Sequence, residues 1–155
     1  MKDESLVLKI TAVAAVATAF TTFLLWLLPR LYQVGSFEEA LSLPANGYYM
    51  SRLWVNFFHI PLALTAYFGL AYKLRNRELP KVALGFVWFV IWGIVEMIGV
   101  AIIIFSINRT WRNGYAMASD TQRELMKNNI EALLSVWDSI FFVLLVAFFL
   151  GTLLY

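Results

Sequence analysis

The distribution of charge along the chain constrains the fold most. Four stretches are long, apolar and almost free of ionisable side chains: residues 10–28 carry none, 53–72 only His59, 82–107 only Glu96, and 132–155 only Asp138. A helix needs about 20 mostly apolar residues to cross the roughly 30 Å hydrocarbon core of a bilayer, and each stretch meets that length. Lipid offers backbone N–H and C=O groups no outside partner, so each span must be helical; the short alternating runs of a membrane barrel are absent. The expected fold class is all-α, an integral membrane protein built as a four-transmembrane-helix bundle. Its spans fall at about 10–28, 53–72, 82–107 and 132–155 of a single domain, 1–155. The composition, 61% hydrophobic and 14% charged, departs in the same direction from soluble domains, at about 45–50% and 25%.

Several chemistries are excluded at once. The chain has no cysteine, which removes disulfides, thiolate metal sites and iron–sulfur ligation. A single histidine removes bis-histidine haem, and a net charge of +2 without a basic tract gives no reason to expect nucleic acid. There is no glycine-rich phosphate loop, no HExxH, no GxSxG and, within a span, no GxxxG. His59, Glu96 and Asp138 have the right ligand types for a metal, but no pair shows ligand spacing within one helix, so neither a metal nor a cofactor is expected. The first span follows the charged start MKDESLVLK, as a secretory signal does. Its apolar run exceeds the usual 7–15 residues of a signal core, and no small-residue cleavage site follows before Pro29 and Arg30, so it reads as a retained helix.

Four spans put the N-terminus, the connection between spans two and three, and the C-terminus on one side. Lys and Arg divide six against six between the sides. They are densest in the tight connection KLRNRELPK, which favours both termini in the cytoplasm. The two long connections then lie outside. In SFEEALSLPANG, Ser36 and Glu39 have the spacing of a capping box, which predicts a short extramembrane helix, and Pro44, Asn46 and Gly47 form a breaker. Asn113–Gly114 marks a turn in the second connection. Ser119 or Asp120 then caps a fourth helix of about 35 residues that runs from outside the bilayer into the last span. Tyr48, Tyr49 and Trp54 read as an interfacial belt.

Ionisable side chains within a span are costly unless they face other helices or water, which makes them functional candidates. Thr121, Glu124, Asn128, Glu131, Ser135 and Asp138 share one face of the fourth helix. Arg52, Asn56 and His59 share one face of the second, and Pro61 just beyond is expected to kink it. Glu96 lies near mid-span in the third helix, with Trp88 and Trp92 at preceding four-residue steps. Counted inward from the boundary, His59 and Asp138 fall at one depth, so Arg52, Asn56, His59, Glu96, Ser135 and Asp138 are expected to line one outward-facing polar cavity, with Trp88 and Trp92 at its approach.

A small helical bundle with His, Glu and Asp inside is similar in chemistry to the sterol-isomerase and sigma-2-type membrane proteins. Phe58, His59, Ile60 and Pro61 form a phrase found in some of them; it is four residues long and assigns no family. The function expected is binding or transport of a cation, a proton or a small amphipathic ligand. One alternative is a non-catalytic membrane subunit or scaffold with a buried salt-bridge network, Arg52 or His59 against Asp138. A second is an enzyme using His59 and a carboxyl as an acid–base pair on a lipid-soluble substrate. Expected partners are the lipid bilayer and a small hydrophobic or cationic ligand, and a homo-oligomer or a membrane-complex partner stays open.

Overall fold

A computed structural model describes residues 2–155, with every side chain from Glu4 onward except that of Arg77. Lys2 and Arg77, which enter the charge count for orientation, therefore lie outside the described side chains. Every regular element is helical: α1 (Lys2–Leu27), α2 (Phe37–Leu41), α3 (Gly47–Ala101), a π-helix (Ile102–Arg112), α4 (Asn113–Tyr115) and α5 (Asp120–Leu153), with 3-10 turns at Leu28–Leu31 and Leu43–Ala45. Four stretches are long and apolar enough to cross a membrane: Glu4–Leu31, Gly47–Asn76, Glu78–Tyr115 and Asp120–Leu153. The architecture is all-helical and compatible with a multi-pass membrane protein.

The second and third of these stretches are two arms of α3. The chain reverses where Glu78 leaves helical geometry (φ −138°, ψ 62°), so the connection is tighter than the nine-residue basic segment implies. Pro80 sits in the first turn of the second arm, where a missing N–H removes no helical bond. Glu78 is the one non-helical residue inside α3, so the backbone stays helical through Pro61.

The local signals at the other ends are used as their chemistry dictates. Glu39 N–H donates to Ser36 Oγ at 3.2 Å and the Glu39 carboxylate accepts from Ser36 N–H at 3.2 Å, the reciprocal cap that starts α2. Asn46 is more than a breaker: its Oδ1 accepts from Tyr49 N–H at 3.0 Å and caps α3. Gln122 Oε1 accepts from Ser119 N–H at 3.0 Å at the start of α5. That helix runs unbroken for 34 residues, about 50 Å at 1.5 Å per residue.

α1 lies antiparallel to the first arm of α3. Glu4 pairs with Arg75 at 2.6 Å, Thr11 abuts Gly69, and Thr21 meets His59 at 2.7 Å, stepping up one helix as they step down the other. A Cβ on Gly69 would overlap the Thr11 side chain, so only glycine admits this approach. α5 packs antiparallel on the second arm, with Trp137 over Gly99 and Phe89 over Gly151. The two arms are stitched by Tyr67 stacked on Phe89 at 3.8 Å between ring centroids. Tyr155 also donates to the Tyr67 carbonyl at 3.2 Å.

One end of the bundle carries a cap. Ala40 and Leu43, from the segment before α3, are buried with Tyr49, Leu53, Val100 and Ile104 in one apolar cluster. The second arm does not stop at Ile107. It continues as the π-helix, whose Ile104, Ile107, Asn108 and Arg112 are buried. Tyr49, expected in an interfacial belt, is 7% exposed and belongs to this core.

Candidate functional site

Beneath the cap lies a cavity of about 310 Å³ between the two arms of α3 and the middle of α5. Its polar lining comes from Tyr49, Arg52, Asn56, Glu96 and Arg112, and α5 supplies the apolar wall, Leu134, Trp137 and Phe141. At its inner end Asn56 Nδ2 donates to Glu96 Oε1 at 3.1 Å. Asn56 is one turn from Arg52, so Glu96 lies about 6 Å further in than Arg52. Along its own stretch, Glu78–Tyr115, Glu96 falls at the middle, as its position in the sequence implies.

The opposite end is basic. The π-helix has i→i+5 hydrogen bonding, and its wide turns keep residues four apart nearly in line, so Ile104, Asn108 and Arg112 all face inward. Arg112 Nη1 donates to Asn108 Oδ1 at 2.8 Å and to the Tyr49 hydroxyl at 3.0 Å, while Asn108 Nδ2 donates to Tyr49 at 3.2 Å. Both acceptors are neutral, and Arg112 Nε, although buried, has no partner among the described residues. Arg52 sits at the exposed rim, where its Nη1 donates to the Tyr32 hydroxyl at 2.8 Å. The ion pairs among the described residues are Glu4–Arg75, Glu78–Lys81, Asp120–Arg123 and Lys127–Glu131; none includes Arg52, Arg112, Glu96, His59 or Asp138.

Of the eight residues singled out in the sequence, Arg52, Asn56 and Glu96 line this cavity and five do not. His59 Nδ1 contacts Thr21 Oγ1 at 2.7 Å, so the imidazole faces α1. Asn56 and His59 are three residues apart, which rotates them by about 60° around the helix axis, enough to aim one at the second arm and the other at α1. Ser135 and Asp138 are exposed. Trp92 packs against Phe148, at 5.6 Å between ring centroids, and Trp88 is half-buried elsewhere; neither reaches the cavity lining.

The expected layer of Arg52, His59 and Asp138 is therefore not formed. The buried positions of α5 are Ile130, Leu144, Ala147 and Gly151, and close packing at Gly99 and Gly151 turns this seam toward α3. The stripe from Glu124 to Asp138 is left on the far side. Neither the salt-bridge network of Arg52 or His59 with Asp138 nor a His59–carboxyl hydrogen bond is present among the described residues.

Sequence reasoning missed Tyr49, Asn108 and Arg112. Asn108 and Arg112 carry the one-face spacing of four residues, but they lie beyond the apolar run that ends at Ile107, so that run does not mark them as helical. No group of three His, Asp or Glu side chains suited to a metal occurs among the described residues. No protein family, curated protein or solved structure matches this chain.

Proposed function

We propose that this chain is a multi-pass membrane protein that binds a small amphipathic ligand in the cavity between the arms of α3 and α5. The observation that carries the reading is the cavity itself: about 310 Å³, with its charged and amide side chains all on the α3 arms and the π-helix, beside an apolar lining that Leu53, Val100, Ile103 and Ile107 share with α5. A site that fixes a polar group on one side and shelters a hydrocarbon on the other is the usual form of a small-molecule pocket. Glu96, held by Asn56, is the inner polar contact, and Arg52 is the rim. Asp138, Ser135, His59, Trp88 and Trp92 have no part in it.

Both termini then lie in the cytoplasm, with the cap and the cavity mouth outside, a reading supported by the basic density of the α3 reversal. Because the chain has no cysteine, single-cysteine variants read both claims directly. Asn56→Cys is expected to react with a small membrane-impermeant thiol reagent added outside intact cells, and Asn76→Cys only after the membrane is opened. Phe142→Cys, on a 71% exposed apolar position of α5, is the lipid-shielded control. If Asn56→Cys is as unreactive as Phe142→Cys, there is no wetted cavity and the binding reading fails. Labelling of Asn76→Cys from outside reverses the orientation.

A further inference from the structure

The cavity's charge balance and its apolar continuation together select a ligand class, and this step rests on the binding reading above. Arg112 is 8% exposed. Its guanidinium does not deprotonate in proteins, yet among the described residues its only side-chain acceptors are the Asn108 amide and the Tyr49 hydroxyl, and its buried Nε has no partner among them. A buried cation of this kind lacks the counter-charge that normally offsets desolvation. Arg52 lines the same cavity and is likewise without a carboxylate among the described residues. Glu96 is the one acidic residue in the lining, so two guanidiniums face one carboxylate and the cavity keeps an excess of positive charge even with Glu96 ionised.

Next to this chamber lies a second cavity of about 270 Å³, lined only by apolar residues and glycine, including Val95, Ile98, Ile102, Leu133, Val136 and Ile140. The two share Ile103, Ile107, Leu134 and Trp137 as common walls. Ile98 and Val136 are exposed, 55% and 53%, so the groove opens on the flank that a bilayer would cover. We infer that the site takes a membrane lipid with an anionic headgroup, its head between Arg52 and Arg112 and one acyl chain along the groove past Trp137. The forked guanidinium geometry suits phosphate or carboxylate oxygens. Beyond Trp137, which both cavities share, the groove has no side chain able to hydrogen-bond and nothing to offer a second polar group.

The test is lipid retention by native mass spectrometry of the full chain in detergent, titrated with dioleoyl phosphatidic acid, dioleoyl phosphatidylcholine, or inorganic phosphate as competitor. Phosphatidic acid is expected to bind more tightly than phosphatidylcholine. Arg52→Gln, at an exposed rim position, is expected to weaken that binding about tenfold, the scale of one charge-assisted hydrogen bond. Arg112→Gln does the same if it folds. Val136→Trp fills the groove from an exposed position and should reduce retention of both lipids, while millimolar phosphate leaves the complex intact. Equal binding of the two lipids overturns the inference, as does an unchanged Arg52→Gln. Displacement by phosphate with no effect of Val136→Trp also overturns it, because the site is then one for a free anion. Loss of lipid selectivity with Asn56→Cys still labelled defeats this inference alone; an unreactive Asn56→Cys defeats the binding reading beneath it.

Discussion

Gly99→Ala isolates the contact that sets the α3–α5 spacing, and with it the shared wall of both cavities. A Cβ at position 99 would overlap the six-membered ring of Trp137. An indole wedged between two helices cannot swing aside as a lysine tip can, so the helices must separate or the ring must leave its rotamer. Overpacking of this kind costs about 1–3 kcal/mol. Against it, alanine in a helix interior is about 0.5–1 kcal/mol better than glycine. The steric cost outweighs the gain over most of these ranges, and the net loss is about 0–2.5 kcal/mol. For a chain of this size that corresponds to a fall in Tm of a few degrees, at about 2–4 °C per kcal/mol. The assay is thermal unfolding in one detergent, run as a double-mutant cycle with Trp137→Leu. With the indole removed, Gly99→Ala should become neutral or stabilising, giving a coupling of about 0.5–3 kcal/mol between the two sites. A Tm that rises in Gly99→Ala alone, with additive behaviour in the double variant, would show that helix propensity is all that the substitution reports and would refute the close approach.

Glu96→Gln is expected to keep the hydrogen bond from Asn56 and hence the wild-type Tm, and to tighten phosphatidic acid binding by removing the cavity's one acidic group. Glu96→Leu leaves the Asn56 amide without its acceptor and should lose about 0.6 kcal/mol, and no more than about 1.7 kcal/mol, in detergent unfolding, the average and maximum for polar contacts between membrane helices. Asp138→Asn is expected to change stability by less than about 0.5 kcal/mol, since the carboxylate is exposed and has no ion pair among the described residues; a larger loss would mean that it has a partner after all. Glu4→Cys with Arg75→Cys should be joined efficiently by a short bifunctional thiol reagent, because the native side chains meet at 2.6 Å. Failure of that link, seen on a denaturing gel, would contradict the antiparallel register of α1 against the first arm.

What is local was legible in the sequence. Runs of span length with at most one ionisable residue predicted four long helices, and the Ser36–Glu39 spacing predicted the capped α2. The polar signal at Ser119 predicted a fourth helix starting well before its apolar stretch. Each follows from backbone hydrogen bonding within a few residues, so neighbouring side chains suffice to decide it. The cavity was legible only in its α3 first-arm half and at Glu96. Which helix each polar side chain meets was not. Along α5 apolar residues occur on nearly every side, so hydrophobic periodicity does not distinguish the face against protein from the face against lipid. The decision was made by shape: Trp137 over Gly99 and Phe89 over Gly151 turn one seam inward and leave Asp138 outside. In the same way the relative sliding of helices placed Thr21, not a carboxylate, beside His59, and the π-helix brought Asn108 and Arg112 onto Tyr49. Register between helices and the phase of a widened helix arise from packing of residues distant in the chain, and only the tertiary structure carries them.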